Sequence, residues 1–494
     1  MRTDENFDMI IPFSVLFTVV FAFCLILYLL SRVTSVGIDG VSYFNAGRKA
    51  PWGITAYGMV GASISGVTFI SVPGNVLAEN FYYLPMVVGF VLGYFFVAGV
   101  LLPLFYTRGD LSIYSYLSDR FGIRSRRIAA FFFFLSRLCN CAVRIFVVAV
   151  VLLSFYTGDN TNLVFVTIVL LYLLMLFVYT YRGGVKTLVW TDVFHTTVML
   201  LAVGAAISFL LRTLSSGEQN LVETLHYSKY LSVFDFDPES PTNLFKQVAA
   251  GFCMTVAMTG LDQGMMQKSL GCKNLKSARK NIYATAGIIL LVNLTFLFLG
   301  ALFAIYIEHS GGMDVLGISS SDAIFPWVAM NLMGPFGLVL FVLGLISSSY
   351  PSSAAAVTSL TSSVYHDFLG FDKSGELSQR QLRRNRVIIE SVLVLVIAIL
   401  VLCFHFFNNT SVLNLIYTLA SYTYGPLLGL YGFAIWGKSH VSDRVVPWIC
   451  TLSPLLSFAI KTILEHYVGF DLGFSLLILN GVITFVGLMV FKKR

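Results

Sequence analysis

Long apolar runs broken by short charged loops dominate this chain. Thirteen stretches of about 20 apolar residues lie near 9–31, 53–77, 82–106, 127–156, 161–181, 187–211, 243–266, 282–307, 336–366, 387–406, 411–436, 445–463 and 471–491. About 20 residues is the length at which a helix crosses the hydrocarbon core of a bilayer. No water is available there for backbone groups, so each run is expected to close its own hydrogen bonds as a helix. The pattern predicts an all-α integral membrane protein of about 13 transmembrane helices. An odd number of crossings puts the two termini on opposite sides.

Two runs are interrupted. In the second, Gly61, Gly66, Thr68 and Ser71 lead to Pro73 and Gly74, two helix-breaking residues side by side at membrane depth. In the seventh, Gly251, Thr255, Thr259 and Gly260 weaken the helix. With the N-terminal helix set aside, these are the first and sixth spans, matching positions of two five-helix halves. Paired discontinuous helices of this kind point to an inverted-repeat transporter with its site at the membrane midplane. The expected organisation is a single transmembrane domain. An extra helix at 9–31 precedes a first repeat at 53–211, and a second repeat at 243–436 precedes two C-terminal helices at 445–491.

The ninth run is polar in another way. Between Leu345 and Val364 it carries no charge but ten hydroxyls, on Ser347, Ser348, Ser349, Ser352, Ser353, Thr358, Ser359, Thr361, Ser362 and Ser363. Hydrocarbon cannot solvate so many, so the segment must face other helices, water or a bound ion. Such a stripe offers hard oxygens to a cation.

Composition agrees with a membrane protein. The 494 residues are 57% hydrophobic and 12% charged, against roughly 45–50% and about 25% in soluble domains. The net charge of +7 carries no nucleic-acid reading, because the basic residues fall in short loops between apolar runs. Alternate loops hold 25 of the 32 Lys and Arg, whereas the other side has only Arg2, Arg212, Lys229 and Lys246 but fifteen of the 25 acids. Positive loops stay in the cytoplasm, so the N-terminus is expected outside and the C-terminus inside a plasma (inner) membrane. The first run lacks a cleavage site, which predicts a retained helix. The seven cysteines are scattered with no CxxC pair, so neither a disulfide nor a metal site is expected.

Few charges lie inside the runs. Asp192 sits a few residues into the sixth span, where a carboxylate costs about 2.5–3.5 kcal/mol and needs a partner. It reads as a cation or proton site, or as half of a structural ion pair. Arg137 and Arg144 are seven residues apart on the fourth span, hence on one face. Arg137 reads as the partner of an acid or helix end. Arg144, deeper, reads either as a bidentate receptor for a substrate carboxylate or as the partner of Asp192. His195, one turn beyond Asp192, reads first as a hydrogen-bonding core residue, and Glu390 and Lys461 as structural.

Several motifs now fall in order: the SYFNAGR stretch at 42–48, Ile64 with Ser65, Trp190-Thr191-Asp192, Asp262 with Gln263, Gln267 with Lys268 and the basic residues to 280, and YGPLLGL at 424–430. Together they resemble the solute:sodium symporter family, from residue 42 to about 436 without a large gap. The resemblance implies the leucine-transporter fold, two inverted five-helix repeats working by alternating access. It also implies one sodium ion, held by the carbonyls of Gly61 and Ile64 and by Ser348 and Ser352 of the ninth span, with Asp192 as nearby acidic support. Where the family places a further hydroxyl this chain has Pro351. Proline has no hydroxyl, but its missing N–H frees the carbonyl of Ser347. The Ser347 carbonyl, or the side chain of Ser348 or Ser349, is the expected replacement. A second sodium site of some relatives needs hydroxyls where this chain has Ala354 and Ala355, so at most one sodium is expected.

On the substrate side the resemblance implies Thr255, Met258 and Thr259 where sugar-carrying relatives have polar and aromatic residues, so a hexose site is not expected. Ser65, Thr68, Thr255 and Thr259 with Arg144 suit a small anionic solute such as a carboxylate or an acidic sugar. Sodium-coupled symport by a monomer is the primary expectation. A proton-coupled or sodium-independent carrier, in which Asp192 or His195 titrates, is the alternative. A solute sensor is expected to carry a signalling domain after the last span, where this chain stops. The longest loops, about 212–242 and 367–386, hold no catalytic constellation, so an enzyme is not expected. A glycosylation triplet at 408–410 carries little weight in so short a loop.

Overall fold

The computed structural model describes residues 13–34, 48–109, 112–156, 160–215, 223, 228–370, 379–407, 412–437 and 439–492. Positions 42–47 of the SYFNAGR stretch, the acidic N-terminal segment and the 408–410 triplet lie outside the described residues. Among these residues the secondary structure is helical, with two isolated bridges, Ala50 to Cys272 and Val441 to Lys492.

In chain order the long helices are α1 (Phe13–Thr34), the bent pair α2 (Trp52–Ser63) and α3 (Gly66–Glu79), α4 (Leu84–Arg108), α5 (Ile123–Leu153), α6 (Thr161–Val178) and α7 (Gly184–Ser215). A second bent pair follows, α8 (Leu244–Gly260) and α9 (Gln263–Leu270). Then come α10 (Leu275–His309), α11 (Gly334–Phe368), α12 (Arg380–Phe406), α13 (Val412–Trp436), α14 (Val446–Val468) and α15 (Gly473–Val490). Nine of these are long and apolar enough to cross a membrane, and counting each bent pair as one span gives up to eleven among the described residues. Helices α1 and α13 lie on the first and eleventh apolar runs and are not among those eleven.

Both interruptions expected from the sequence are present, and the first falls at the Ile64–Ser65 position that the family resemblance implies. The second run breaks at Ile64 and Ser65, where α2 and α3 meet at 64°, not at Pro73 and Gly74. The cause is local capping. Ser65 Oγ accepts the Thr68 N–H at 3.3 Å and Thr68 Oγ1 accepts the Ser65 N–H at 3.4 Å, a reciprocal box that starts a new helix. Pro73 sits inside α3, where packing against neighbouring helices tolerates the loss of one N–H. Gly74 beside it lets the Ser321 carbonyl approach, since a Cβ there would collide with it.

The second break falls at Leu261 and Asp262, after a π-helical turn Val256–Gly260, and bends by 66°. Asp262 caps α9 by accepting the Met265 N–H at 3.0 Å. Gly251 belongs to a different feature, the close crossing of α8 on α4. A Cβ on Gly251 would strike the Met86 carbonyl, and one on Gly89 the Val248 carbonyl.

Helix α11 is the axis of the bundle, 83% buried over its apolar window where α12 and α14 are 28% buried. It packs along α6 and α7 and also touches α2 and α5. All ten hydroxyl residues of its serine-rich segment are at most 2% exposed, so the stripe faces protein and not lipid.

Candidate functional site

The break between α2 and α3 opens onto a central cavity of about 110 Å³. Ser65, Thr68, Arg144, Thr255 and Thr259 all line it, so one space unites the substrate candidates read from three separate stretches of chain. Asn293, Tyr94, Ser63 and Arg137 line it too, and sequence reasoning had missed them as a site. The lining holds two guanidiniums and no carboxylate.

Arg137 combines two roles. Its Nη1 lies 3.5 Å from Asp262 Oδ2, the acid partner expected for it. Its Nε and Nη2 are buried with no protein partner among the described residues. The spacing of seven from Arg144 was the available signal, because it places both side chains on the same face of α5. Backbone adds to the positive character. Helix α3 begins at the break, and its N-terminus presents N–H groups and a partial positive charge to the cavity.

The same break supplies oxygens. The Gly61 carbonyl lies in the last turn of α2, and the N–H four residues on, at Ser65, is directed to Thr68 Oγ1. Ile64 follows in extended conformation, with φ −78° and ψ 129°. From α11, Ser348 and Ser349 reach this region: a Cβ on Gly66 would lie 3.6 Å from Ser348 Oγ and 3.5 Å from Ser349 Cβ. Ser348 Oγ donates to the Leu345 carbonyl at 2.7 Å and Ser352 Oγ to the Ser349 carbonyl at 2.9 Å, which leaves oxygen lone pairs on both. Ser347 Oγ is buried without a protein partner among the described residues. Its carbonyl receives no N–H from Pro351.

Asp192 approaches α2 from α7. A Cβ on Gly58 would stand 3.0 Å from Asp192 Cβ, and one on Gly61 would collide with Thr196 Oγ1, which donates to the Asp192 carbonyl at 2.7 Å. The carboxylate partner of Asp192 is Lys268, with Nζ 2.5 Å from Oδ2. This corrects the reading of Arg144 as its partner, and it moves Lys268, one of the 25 basic residues assigned to loops, into the bundle. Lys268 lies on α9, which the 66° bend turns inward, and is 1% exposed. His195 is packed between the rings of Phe23 and Tyr350. Glu390 accepts from Thr180 Oγ1 at 2.5 Å, and Lys461 pairs with Glu465 at 3.2 Å.

Several residues of the described motifs bond to neighbouring segments. Tyr424 OH donates to Asp262 Oδ2 at 2.8 Å, Gln263 Oε1 accepts from the Ile113 N–H at 2.9 Å, and Gln267 Nε2 donates to Ser362 Oγ at 3.0 Å. Beyond them Asp367 accepts from Ser112 Oγ at 2.6 Å, Arg126 Nε at 3.0 Å and Ser363 Oγ at 3.1 Å. Tyr83 is shared with a second cavity of about 290 Å³, lined also by Asn75, Glu79, Asn80 and Asp471.

Known proteins resemble this arrangement at several levels. The chain is 28% identical over 330 residues to sodium-coupled monocarboxylate transporter 2 of Danio rerio, covering 65% of this chain and 52% of that protein. It thus spans about half the length of the first curated relatives it matches. It is 21% identical to the sodium/sialic acid symporter SiaT of Proteus mirabilis, over 96% of this chain and 94% of the relative. Among solved structures, a Na+-coupled sialic acid symporter in a substrate-bound outward-open state superposes with a TM-score of 0.77 at 16% identity, over 97% of this chain and 99% of the other. MHP1, a nucleobase-cation-symport-1 family transporter, gives 0.55 at 16% identity, over 90% of this chain and 94% of the other. These likenesses establish the leucine-transporter-type fold. The model of the Sodium:solute symporter family matches residues 43–441, most of the chain, and the protein therefore belongs to that family.

Proposed function

We propose that the protein carries a small organic anion, of the size and charge of a monocarboxylate, together with one sodium ion by alternating access. The observation that carries this reading is the cavity at the α2–α3 break, with two guanidiniums, the N-terminus of α3 and no carboxylate in its wall. Its volume of about 110 Å³ is well below the roughly 300–1,000 Å³ of sites for drug-sized ligands, which favours a short carboxylate over an acidic sugar. Arg144 and Arg137 fix the carboxylate, Ser65, Thr68, Thr255 and Thr259 take its remaining polar groups, and Met254, Met258 and Met265 cover an apolar body. Matching relatives are named for monocarboxylates and sialic acid, which are both anions at neutral pH.

Sodium takes the carbonyls of Gly61 and Ile64 and oxygens of Ser348 and Ser352, with Ser347 or Ser349 in place of the hydroxyl that Pro351 lacks. Asp192 supports the site electrostatically. Because these ligands come from both the broken helix and α11, the ion joins two elements that must move relative to each other. Repeats at 53–211 and 243–436 are the moving halves, the N-terminus is outside a plasma membrane, and the monomer is the working unit. A sodium-independent or proton-coupled carrier is the second reading, favoured by Pro351 and by the ammonium of Lys268 on Asp192. Thermal unfolding of the purified protein with lactate or pyruvate, in sodium and in choline, distinguishes them. Stabilisation by the carboxylate only in sodium supports symport, and equal stabilisation in both salts refutes it.

A further inference from the structure

An apolar crevice of about 360 Å³ opens on the side of the bundle between α1, α6 and α11. Its rim is formed by Phe21 and Leu174, 52% and 54% exposed. Its floor is formed by Tyr172 and Tyr350, 6% and 2% exposed, with ring centroids 4.4 Å apart. The Tyr172 hydroxyl turns away from it toward α11, while Tyr350 also bonds the Cys24 side chain of the lining. Tyr172 OH donates to Ser349 Oγ at 2.9 Å and reaches Ser353 Oγ at 3.3 Å, and Tyr350 OH donates to the Tyr172 carbonyl at 3.3 Å. The floor is therefore largely aromatic ring, and Tyr172 braces it against Ser349 and Ser353, two residues to either side of Pro351.

We propose that this crevice takes one phospholipid acyl chain, and that the chain, by seating Tyr172 and Tyr350, holds the serine-rich segment in its ion-binding arrangement. The occupant follows from the surroundings. The crevice walls lie along α6 and α11, two helices long and apolar enough to cross a membrane, and on the apolar α1. At that depth the surrounding medium is hydrocarbon, and a water placed there would find no partner. The need for a brace follows from Pro351, which removes the N–H that would bond the Ser347 carbonyl and weakens the helix at this turn. Support from Tyr172 through Ser349 and Ser353 substitutes for the lost bond, and it depends on the two rings staying packed.

The test uses the full chain in phosphatidylcholine proteoliposomes doped with a phosphatidylcholine that carries a diazirine midway along one acyl chain. After photolysis, adducts on Tyr172, Ile346 or Tyr350 are expected, because these residues are too buried for annular lipid to reach. Met175→Trp, which fills the crevice, should reduce those adducts at least fivefold. Adducts confined to the exposed rim, or cross-links to a second copy in place of lipid, would overturn the proposal. The second half rests on the symport reading. Met175→Trp and Tyr172→Phe should each change the half-saturating sodium concentration at least threefold, and unchanged values in both would overturn the coupling. Wild-type uptake without any sodium dependence defeats the symport reading, while the adducts on the crevice floor still decide whether the chain binds.

Discussion

Lys268 Nζ lies 2.5 Å from Asp192 Oδ2, and the two residues are 1% and 0% exposed. A pair so completely withdrawn from water is weak evidence for net stability, but it is fragile to the loss of one member. Lys268→Met should lower unfolding stability by about 3–5 kcal/mol, because it leaves Asp192 charged and alone. Lys268→Met combined with Asp192→Asn should recover most of that loss. Denaturation of the purified variants checks it, and a double variant no more stable than the single one would contradict the pair.

Arg144→Ala should abolish saturable uptake of a short carboxylate, and Arg144→Lys should not restore it, since an ammonium cannot make the bidentate contact. Arg137→Gln should raise the half-saturating solute concentration about 10- to 100-fold, the equivalent of one charge-assisted hydrogen bond of roughly 1.5–3 kcal/mol. Concentration-dependent uptake into vesicles measures both. Unchanged affinity in either variant removes that arginine from the site.

At Pro351 the chain departs from the ligand set its family resemblance implies. Pro351→Ser restores both a hydroxyl and the N–H for the Ser347 carbonyl. If a hydroxyl is the better ligand, half-saturating sodium should fall about tenfold, near 1.4 kcal/mol. A sodium dependence identical to wild type would show that position 351 does not face the ion.

Gly251→Ala should cost about 1–3 kcal/mol, because its Cβ would meet the rigid backbone carbonyl of Met86 and force α8 off α4. Gly204→Ala is the control. Nothing lies within 4 Å of a Cβ there, and its stability should stay within about 0.5 kcal/mol of wild type.

Much of this arrangement is legible in the sequence. Apolar run length located the helices, and the glycine- and hydroxyl-rich interruptions identified which two are broken. Five substrate candidates converge on one cavity because a broken helix brings residues near its unwound link to face the bundle centre. The break at Ile64 and Ser65 was legible from the resemblance and not from composition, in which Pro73 and Gly74 look like stronger breakers; the reciprocal Ser65–Thr68 cap decides it. Two things were not legible. Lys268 follows a short polar stretch and reads as a loop cation, but the 66° bend at Leu261 and Asp262 carries it inward to Asp192. Arg137 was assigned an acid and has one in Asp262, but its exposure to the cavity depended on how α5 is rotated.

The central claim is that sodium drives the uptake of a small carboxylate through the α2–α3 break. Its most direct test is initial-rate uptake of radiolabelled lactate or pyruvate into proteoliposomes, with an inward sodium gradient or with sodium replaced by choline. Saturable uptake in sodium that collapses in choline is the predicted result. Undiminished uptake in choline would contradict the account.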